Sequence, residues 1–195
     1  TFMLGALLFY VFRLQKRLQR SYSLAYETSI RDSLTGLFSR RHFDSALNAI
    51  RQRPPELARP FTVLMADIDH FKRYNDSQGH LEGDRCLQHI ASLLKSVCRR
   101  PCDQAARYGG EEFVIVMPDT NPEIAAQVAE RLRTTIESKP FTLKQAGLTL
   151  NITASMGISF NIPKSDSADA LVKRADLALY EAKNSGRNRV VAAAA

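Results

Sequence analysis

The sequence predicts an α/β domain, a β-sheet covered by helices, behind an N-terminal helical extension. Two observations carry this. Apolar runs of strand length alternate with helical stripes in the order strand, helix, hairpin, helix, strand, helix. A glycine pair, Gly109-Gly110, lies between two short β-forming runs, and Gly-Gly supplies the positive φ angles that a tight hairpin turn needs. With 195 residues, 45% of them hydrophobic, the chain holds one domain with a sizeable core plus an extension.

The elements follow in order. Residues 1–12 carry no charge and are almost wholly apolar. As a helix they reach about 18 Å, short of the roughly 30 Å hydrocarbon core of a bilayer. We read 1–12 as the end of a transmembrane helix, the alternative being an amphipathic or buried helix. Arg13, Lys16, Arg17 and Arg20 follow at once, which puts the rest of the chain in the cytoplasm by the positive-inside rule. Residues 13–30 form a linker helix, with Leu14, Leu18 and Leu24 on one side, able to pair with its copy. The domain proper is 31–191. Within it Arg40–Arg51 is a helix ended by Pro54-Pro55, and Phe61–Ile68 is a nearly continuous apolar run ending in acids, as a central strand does. Residues 83–98 carry a helical stripe of Leu87, Ile90, Leu94 and Val97. Residues 105–108 and 113–117 are the hairpin arms. Asn121 caps a helix with Pro122 at its first position and Ile124, Val128, Leu132 and Ile136 as its buried face. Residues 148–160 read as a strand, Ala168–Asn184 as the last helix, and 192–195 as a frayed tail.

The net charge of +7 is concentrated at the front: residues 1–60 carry ten Lys+Arg against four Asp+Glu, and residues 61–195 seventeen against sixteen. The basic character therefore reflects the N-terminal third and not a basic groove on the domain, which disfavours nucleic-acid binding. Cys86, Cys98 and Cys102 lack metal-ligand pairing and read as reduced structural thiols. His42, His70, His80 and His89 have no metal-like spacing and read as local hydrogen-bonding residues.

Acidic residues mark the chemistry. Asp67 and Asp69 end the apolar strand, and residues two apart in a strand share a face. Two unpaired carboxylates there are costly to bury, and a cation would relieve that cost; a helix cap or loop acid is the alternative. Glu111 and Glu112 follow the glycines directly, where backbone without Cβ lets a phosphate approach and oxygen ligands suit a hard cation. His70-Phe71-Lys72 follows the strand, where backbone N–H groups can form an anion-binding nest.

The string Arg107-Tyr108-Gly109-Gly110-Glu111-Glu112-Phe113 resembles the signature of the GGDEF family, the diguanylate cyclases. Further motifs of that family stand in order. They are Asp32-Ser33-Leu34-Thr35-Gly36-Leu37-Phe38-Ser39-Arg40-Arg41; Asp67-Ile68-Asp69-His70-Phe71-Lys72 with Asn75-Asp76, Gly79-His80 and Gly83-Asp84; and Ala175-Asp176, Ala178-Leu179-Tyr180, Ala182-Lys183 and Gly186-Arg187-Asn188. The resemblance runs from about Asp32 to Val190. It implies a central, mostly antiparallel sheet like the palm of nucleotidyl cyclases and polymerases. It implies that Asp67, the carbonyl of Ile68 and Glu111 bind Mg²⁺ or Mn²⁺, that Glu111 assists deprotonation of the attacking hydroxyl, and that Glu112 supports the metal; Asp69 is left open. It makes Lys72, Lys183 and Arg187 triphosphate contacts, beside His70 and Phe71. Asn75 and Asp84 would read guanine, since an amide hydrogen-bonds the base edge and a carboxylate accepts the N1–H and N2–H₂ donors that adenine lacks.

The implied reaction joins two GTP into cyclic di-GMP and two pyrophosphates, the 3′-hydroxyl of each attacking the α-phosphate of the other. One site holds one GTP, so two protomers must face each other about a two-fold axis. Arg100-x-x-Asp103, with Arg100 nine residues before Gly109, resembles the family's inhibitory site for product. The implied location is a bacterial inner membrane, with the domain in the cytoplasm. The competing readings are a catalytically silent receptor for GTP or cyclic di-GMP, and an adenylyl cyclase of related fold.

Overall fold

Every residue of Phe61–Ile68, the strand β2, is buried. The computed structural model describes residues 10–19, 26, 30–52, 59–98, 100–143, 149–161 and 167–193. Around β2 it places β1 (Phe38–Ser39), α1 (Arg40–Arg51), α2 (Phe71–Gln78), α3 (His80–Val97), β3 (Gln104–Gly109), β4 (Glu112–Pro118), α4 (Pro122–Ser138), β5 (Phe141–Thr142), β6 (Thr149–Leu150), β7 (Ala154–Phe160), α5 (Ala168–Asn184) and β8 (Val190–Ala192). Six strands form one sheet in the order β1-β3-β4-β2-β7-β8, and β5 pairs with β6 separately. The four inner strands are antiparallel, and the outermost pairings, β1 with β3 and β7 with β8, are parallel. The sheet is thus mixed, antiparallel at its centre.

The two faces of β2 serve two cores. Phe61, Val63 and Met65 pack with Phe43 and Leu47 of α1 and Leu171 and Leu179 of α5. Leu64, Ala66 and Ile68 pack with Ile90 and Leu94 of α3 and Leu132 and Ile136 of α4. This two-sided burial is why β2 reads as a continuous apolar run and not as an alternation. Each fully buried Leu, Ile or Phe contributes roughly 1.5–3 kcal/mol. By strand alternation the next residue on the α1/α5 face is Asp67.

Several boundaries differ from the sequence reading. α2 was not foreseen because Phe71 is its one buried residue, leaving no stripe to detect. Gly79, with φ +84, ends α2 and begins α3, so α3 starts at His80, ahead of the apolar stripe at Leu87. The expected strand 148–160 is broken at 151–153, where the Thr153 carbonyl accepts from Asp69 N–H at 3.0 Å. The buried face of α4 is Ala125, Ala129, Leu132 and Ile136, whereas Ile124 is exposed: the helix lies close enough to the sheet that alanines fill the contact. β8 extends the domain past 191, with Ala192 opposite Ile158 in the ladder. The turn is also narrower than expected. Gly110 alone has a positive φ, Gly109 ends β3 opposite Glu112, and a bulge falls between Arg107 and Gly109.

Residues 10–19 are helical and exposed. The transmembrane reading of 1–12 and the linker reading of 13–30 fall largely outside the described residues, as does the Pro54-Pro55 stop. Among the described residues no helix is long and apolar enough to cross a membrane. Cys86 is buried and Cys98 half-buried, each thiol pushed up to about 12 by burial, but Cys102 is exposed and so has no structural packing role.

α5 approaches β7 closely at Gly157. A Cβ there would lie 2.1 Å from Ala175 O and 2.2 Å from Leu179 N, both backbone atoms. Gly157→Ala is therefore expected to force helix and sheet apart and cost roughly 1–3 kcal/mol or more, read as a lower urea midpoint at unchanged slope.

Candidate active site

The residues singled out for chemistry gather at one end of the sheet. β2 ends there at Ile68, β4 begins there at Glu112, and β7 begins there at Ala154, opposite Ile68. Asp67 faces Glu112 across one ladder and Ser155 across the other. Two carboxylates directly opposite on antiparallel strands repel each other. Asp67 is only 7% exposed. Lys183, in the last turn of α5, reaches it, with Nζ 2.9 Å from Oδ2. The Asp67 carboxyl is nevertheless pushed up to about 6: burial raises it most, Lys183 opposes, and Glu111 and Glu112 raise it further.

Asp69 has a different task. Its carboxylate accepts from Thr153 Oγ1 at 2.7 Å, Ser155 Oγ at 2.6 Å and Asn188 N–H at 3.1 Å. It is fully engaged in tying β7 and the turn after α5 to the end of β2, so the expected pairing of Asp67 with Asp69 as like acids dissolves. Thr153, Ser155 and Asn188 carried no sequence signal for this role, because a hydroxyl beside a carboxylate has meaning only once the strands are paired.

On the other face of the sheet, His70 adopts a left-handed conformation (φ +59) as the cap of α2. The first amides of α2 have no partner within the helix. Lys72 is exposed on that first turn, Phe71 is buried beneath it, and Asp84 is exposed on α3. Asn75 sits between the two helices, with its Oδ1 buried and without a hydrogen-bond partner. A Cβ at Gly83 would fall 1.9 Å from that Oδ1, so Gly83 is what allows α2 and α3 to meet at Asn75.

The turn itself is braced from within. Arg107 donates from Nε and Nη2 to Gly110 O at 3.0 and 2.9 Å, and its Nη1 lies 3.4 Å from Asp32 Oδ2. A Cβ at Gly109 would meet nothing closer than 3.9 Å, and Gly109 lacks a positive φ. Nothing among the described residues demands glycine there. A cleft of about 610 Å³ between α1 and α5 shares only Glu112 with the expected site.

Could these residues hold a divalent cation? Two carboxylates and a carbonyl at a sheet end, countered by one lysine, are the hard oxygen donors that Mg²⁺ takes with its remaining positions given to water and phosphate. The donor chemistry fits. Among the described residues no three acids, imidazoles or thiols form a closed cluster.

Arg100 and Asp103 lie at the far end of the same hairpin, about 20 Å from the turn along six strand residues. They are together, but paired with each other: Arg100 Nη2 is 2.5 Å from Asp103 Oδ1. The same nitrogen also donates to Pro118 O at 3.0 Å and Thr120 Oγ1 at 2.5 Å. Lys183 stays on Asp67, and Arg187, with φ +62, is exposed on the turn after α5 beside Asn188, whose N–H donates to Asp69. Asp67, Ile68, Glu111, Glu112 and Lys183 thus meet at the sheet end, His70, Phe71 and Lys72 follow directly on β2, and Arg100 and Asp103 lie apart.

Residues 29–189 match the family model described as Diguanylate cyclase, GGDEF domain. The response regulator PleD of Caulobacter vibrioides is 42% identical over 178 residues, covering 91% of this chain and 39% of PleD. Diguanylate cyclase VdcA of Vibrio cholerae is 41% identical over 176 residues, covering 90% of this chain and 50% of VdcA. The chain thus spans half or less of these relatives. The crystal structure of the coiled coil and GGDEF domain of DgcB from Caulobacter crescentus, in complex with c-di-GMP, superposes with a TM-score of 0.89 at 33% identity, over 97% of this chain and 99% of that one.

A folded-state carboxyl near 6, above its ordinary 3.8, binds its proton more tightly in the folded chain. Stability is then fully present below about 3.8 and falls as pH rises toward 6. Asp67→Asn is expected to gain roughly 1–3 kcal/mol at pH 7.5 in chelating buffer, with the gain vanishing near pH 4. Urea unfolding at the two pH values measures it.

Proposed function

The chain belongs to the GGDEF diguanylate cyclase family, and from that premise we propose that it condenses two GTP into cyclic di-GMP and two pyrophosphates where two copies of the domain meet. The observation that carries this is the buried Asp67 held opposite Glu112, beside Glu111, at the sheet end that also presents Lys183 and the N-terminus of α2. The fold expends stability to keep these acids together, as sites built for charge-developing chemistry do.

Each residue has a task in this reading. Lys72, Lys183 and Arg187 bind the triphosphate, and the amides of His70 and Phe71 add donors. Asn75, with its buried unpartnered oxygen, and exposed Asp84 read the guanine edge. Glu111 takes the proton leaving the 3′-hydroxyl, and Glu112 braces the acidic cluster. A divalent cation, Mg²⁺ or Mn²⁺, held by Asp67, the Ile68 carbonyl and Glu111, would lower the hydroxyl's pKa and neutralise charge at the α-phosphate. O3′ then bonds to Pα, the bond from Pα to the bridging oxygen breaks, and pyrophosphate leaves. Repetition in the opposite sense closes the ring, which requires two-fold pairing of domains.

Arg100 and Asp103 form a product site in this proposal, cyclic di-GMP replacing the present ion pair with contacts to phosphate and guanine. The uncharged run 1–12, followed by Arg13, Lys16, Arg17 and Arg20, supports attachment to a bacterial inner membrane with the domain in the cytoplasm.

Purified protein with GTP and Mg²⁺ is expected to release pyrophosphate, and ATP in its place to give little. Absence of release at micromolar protein moves the reading to a silent receptor. Glu111→Ala is expected to abolish turnover in a folded domain. Asp84→Ala is expected to lower GTP-over-ATP discrimination by about 10- to 100-fold, the worth of a hydrogen bond to a charged acceptor. Arg100→Ala is expected to relieve inhibition by added cyclic di-GMP while leaving the initial rate nearly unchanged, as read from progress curves.

A further inference from the structure

The turn after α5 runs through three consecutive residues with positive φ: Gly186 (+111), Arg187 (+62) and Asn188 (+44). Glycine adopts such angles freely, but arginine does so only when its surroundings impose them. The turn is held from two sides. Asp69 accepts from Asn188 N–H at 3.1 Å. From α4, Arg133 Nη1 donates to Asn188 Oδ1 at 2.9 Å, Asn188 Nδ2 donates to Glu137 Oε1 at 2.8 Å, and Arg133 Nη1 donates to Glu137 Oε2 at 2.8 Å. Arg133, Asn188 and Glu137 thus close a ring of hydrogen bonds in which each touches the other two. Glu130 fixes the rest of the guanidinium, accepting from Nε at 2.9 Å and from Nη2 at 2.6 Å. The Arg133 side chain is only 14% exposed.

Among the described residues Arg133 has no hydrogen bond or ion pair with Asp67, Glu111, Glu112 or Lys183. It reaches the site only through Asn188, whose neighbour Arg187 is turned outward by that left-handed backbone. Lys183, four residues earlier, is the cation that meets Asp67. We propose that Arg133 is a positioning residue: with Glu137 it clamps Asn188, and the clamp sets where Arg187 presents its guanidinium to the substrate triphosphate. The inference rests on the reading above that Arg187 binds GTP phosphates. A planar guanidinium with several donors in fixed directions suits the role, and a lysine cannot replace it.

The test is steady-state kinetics with GTP and Mg²⁺ on the whole chain. Arg133→Met and Arg133→Lys are each expected to raise KM for GTP about 10-fold, with kcat changed less than about 3-fold, the mark of lost substrate binding. In a double-variant cycle, Arg133→Met added to Arg187→Met is expected to do nothing further, because both act through one guanidinium. A staple that serves stability alone would make the two effects multiply. Asn188→Asp sets a carboxylate against Glu137 and is expected to raise KM; Glu137→Gln on that background restores the donor and is expected to bring KM back. This second pair keeps the test alive if Arg133→Met fails to fold. Unchanged KM in Arg133→Lys, multiplicative effects in the cycle, or no rescue by Glu137→Gln would each overturn the clamp. A wild-type chain without GTP turnover is a different failure, that of the function on which the clamp rests.

Discussion

A carboxylate buried at the end of a central strand, facing a second carboxylate across the ladder, is the constraint that the rest of the domain serves. Asp67 cannot keep its charge there alone, and burial with Glu111 and Glu112 nearby already lifts its carboxyl to about 6. What moderates this is one lysine, and that lysine is available because α5 lies hard against β7. Gly157 permits the approach by leaving no Cβ between the two backbones. The chain of dependence runs from a missing methyl group in a strand, through the seating of a helix, to the ionisation of an acid on the neighbouring strand.

The site is divided by the sheet. Asp67 and Glu112 belong to the face covered by α1 and α5, whereas Lys72, Asn75 and Asp84 come from α2 and α3 on the opposite face. The end of the sheet is the one place where groups from both faces can reach a single ligand. A strand pair that stops there, a turn with no Cβ and a short helix beginning in left-handed backbone leave that end open.

Much of this was legible in the amino-acid sequence. Phe61–Ile68 announced a strand buried on both sides, Asn121-Pro122 a helix start, and Gly109-Gly110 a hairpin, because each signal is local. The candidate acids and cations were legible as motifs, and the fold brings them together. What escaped was of two kinds. Short or polar elements such as α2 and β8 carry too little apolar pattern to register. Relations between distant segments are invisible along a chain: Lys183 with Asp67, Asp69 with Thr153 and Asn188, Arg133 with Asn188 and Glu137. Asp69 is the instructive case. Its spacing from Asp67 promised a shared function, yet β2 ends between them, and one residue past the ladder a carboxylate meets a different set of neighbours.

The β3–β4 hairpin carries the acidic turn at one tip and the Arg100–Asp103 pair at the other, and between them β4 is laddered on both sides, to β3 and to β2. A strand so held behaves as a stiff rod. It cannot convey a message by bending, because any flexure would break hydrogen bonds along two seams at once. Occupation of its far tip can then alter events at the near tip only by changing how the whole body is oriented toward a neighbour. Were product to bind there as proposed above, control would act on encounter and leave the chemistry intact, and a domain silenced from the far tip would remain loaded and competent, ready to restart once free to turn.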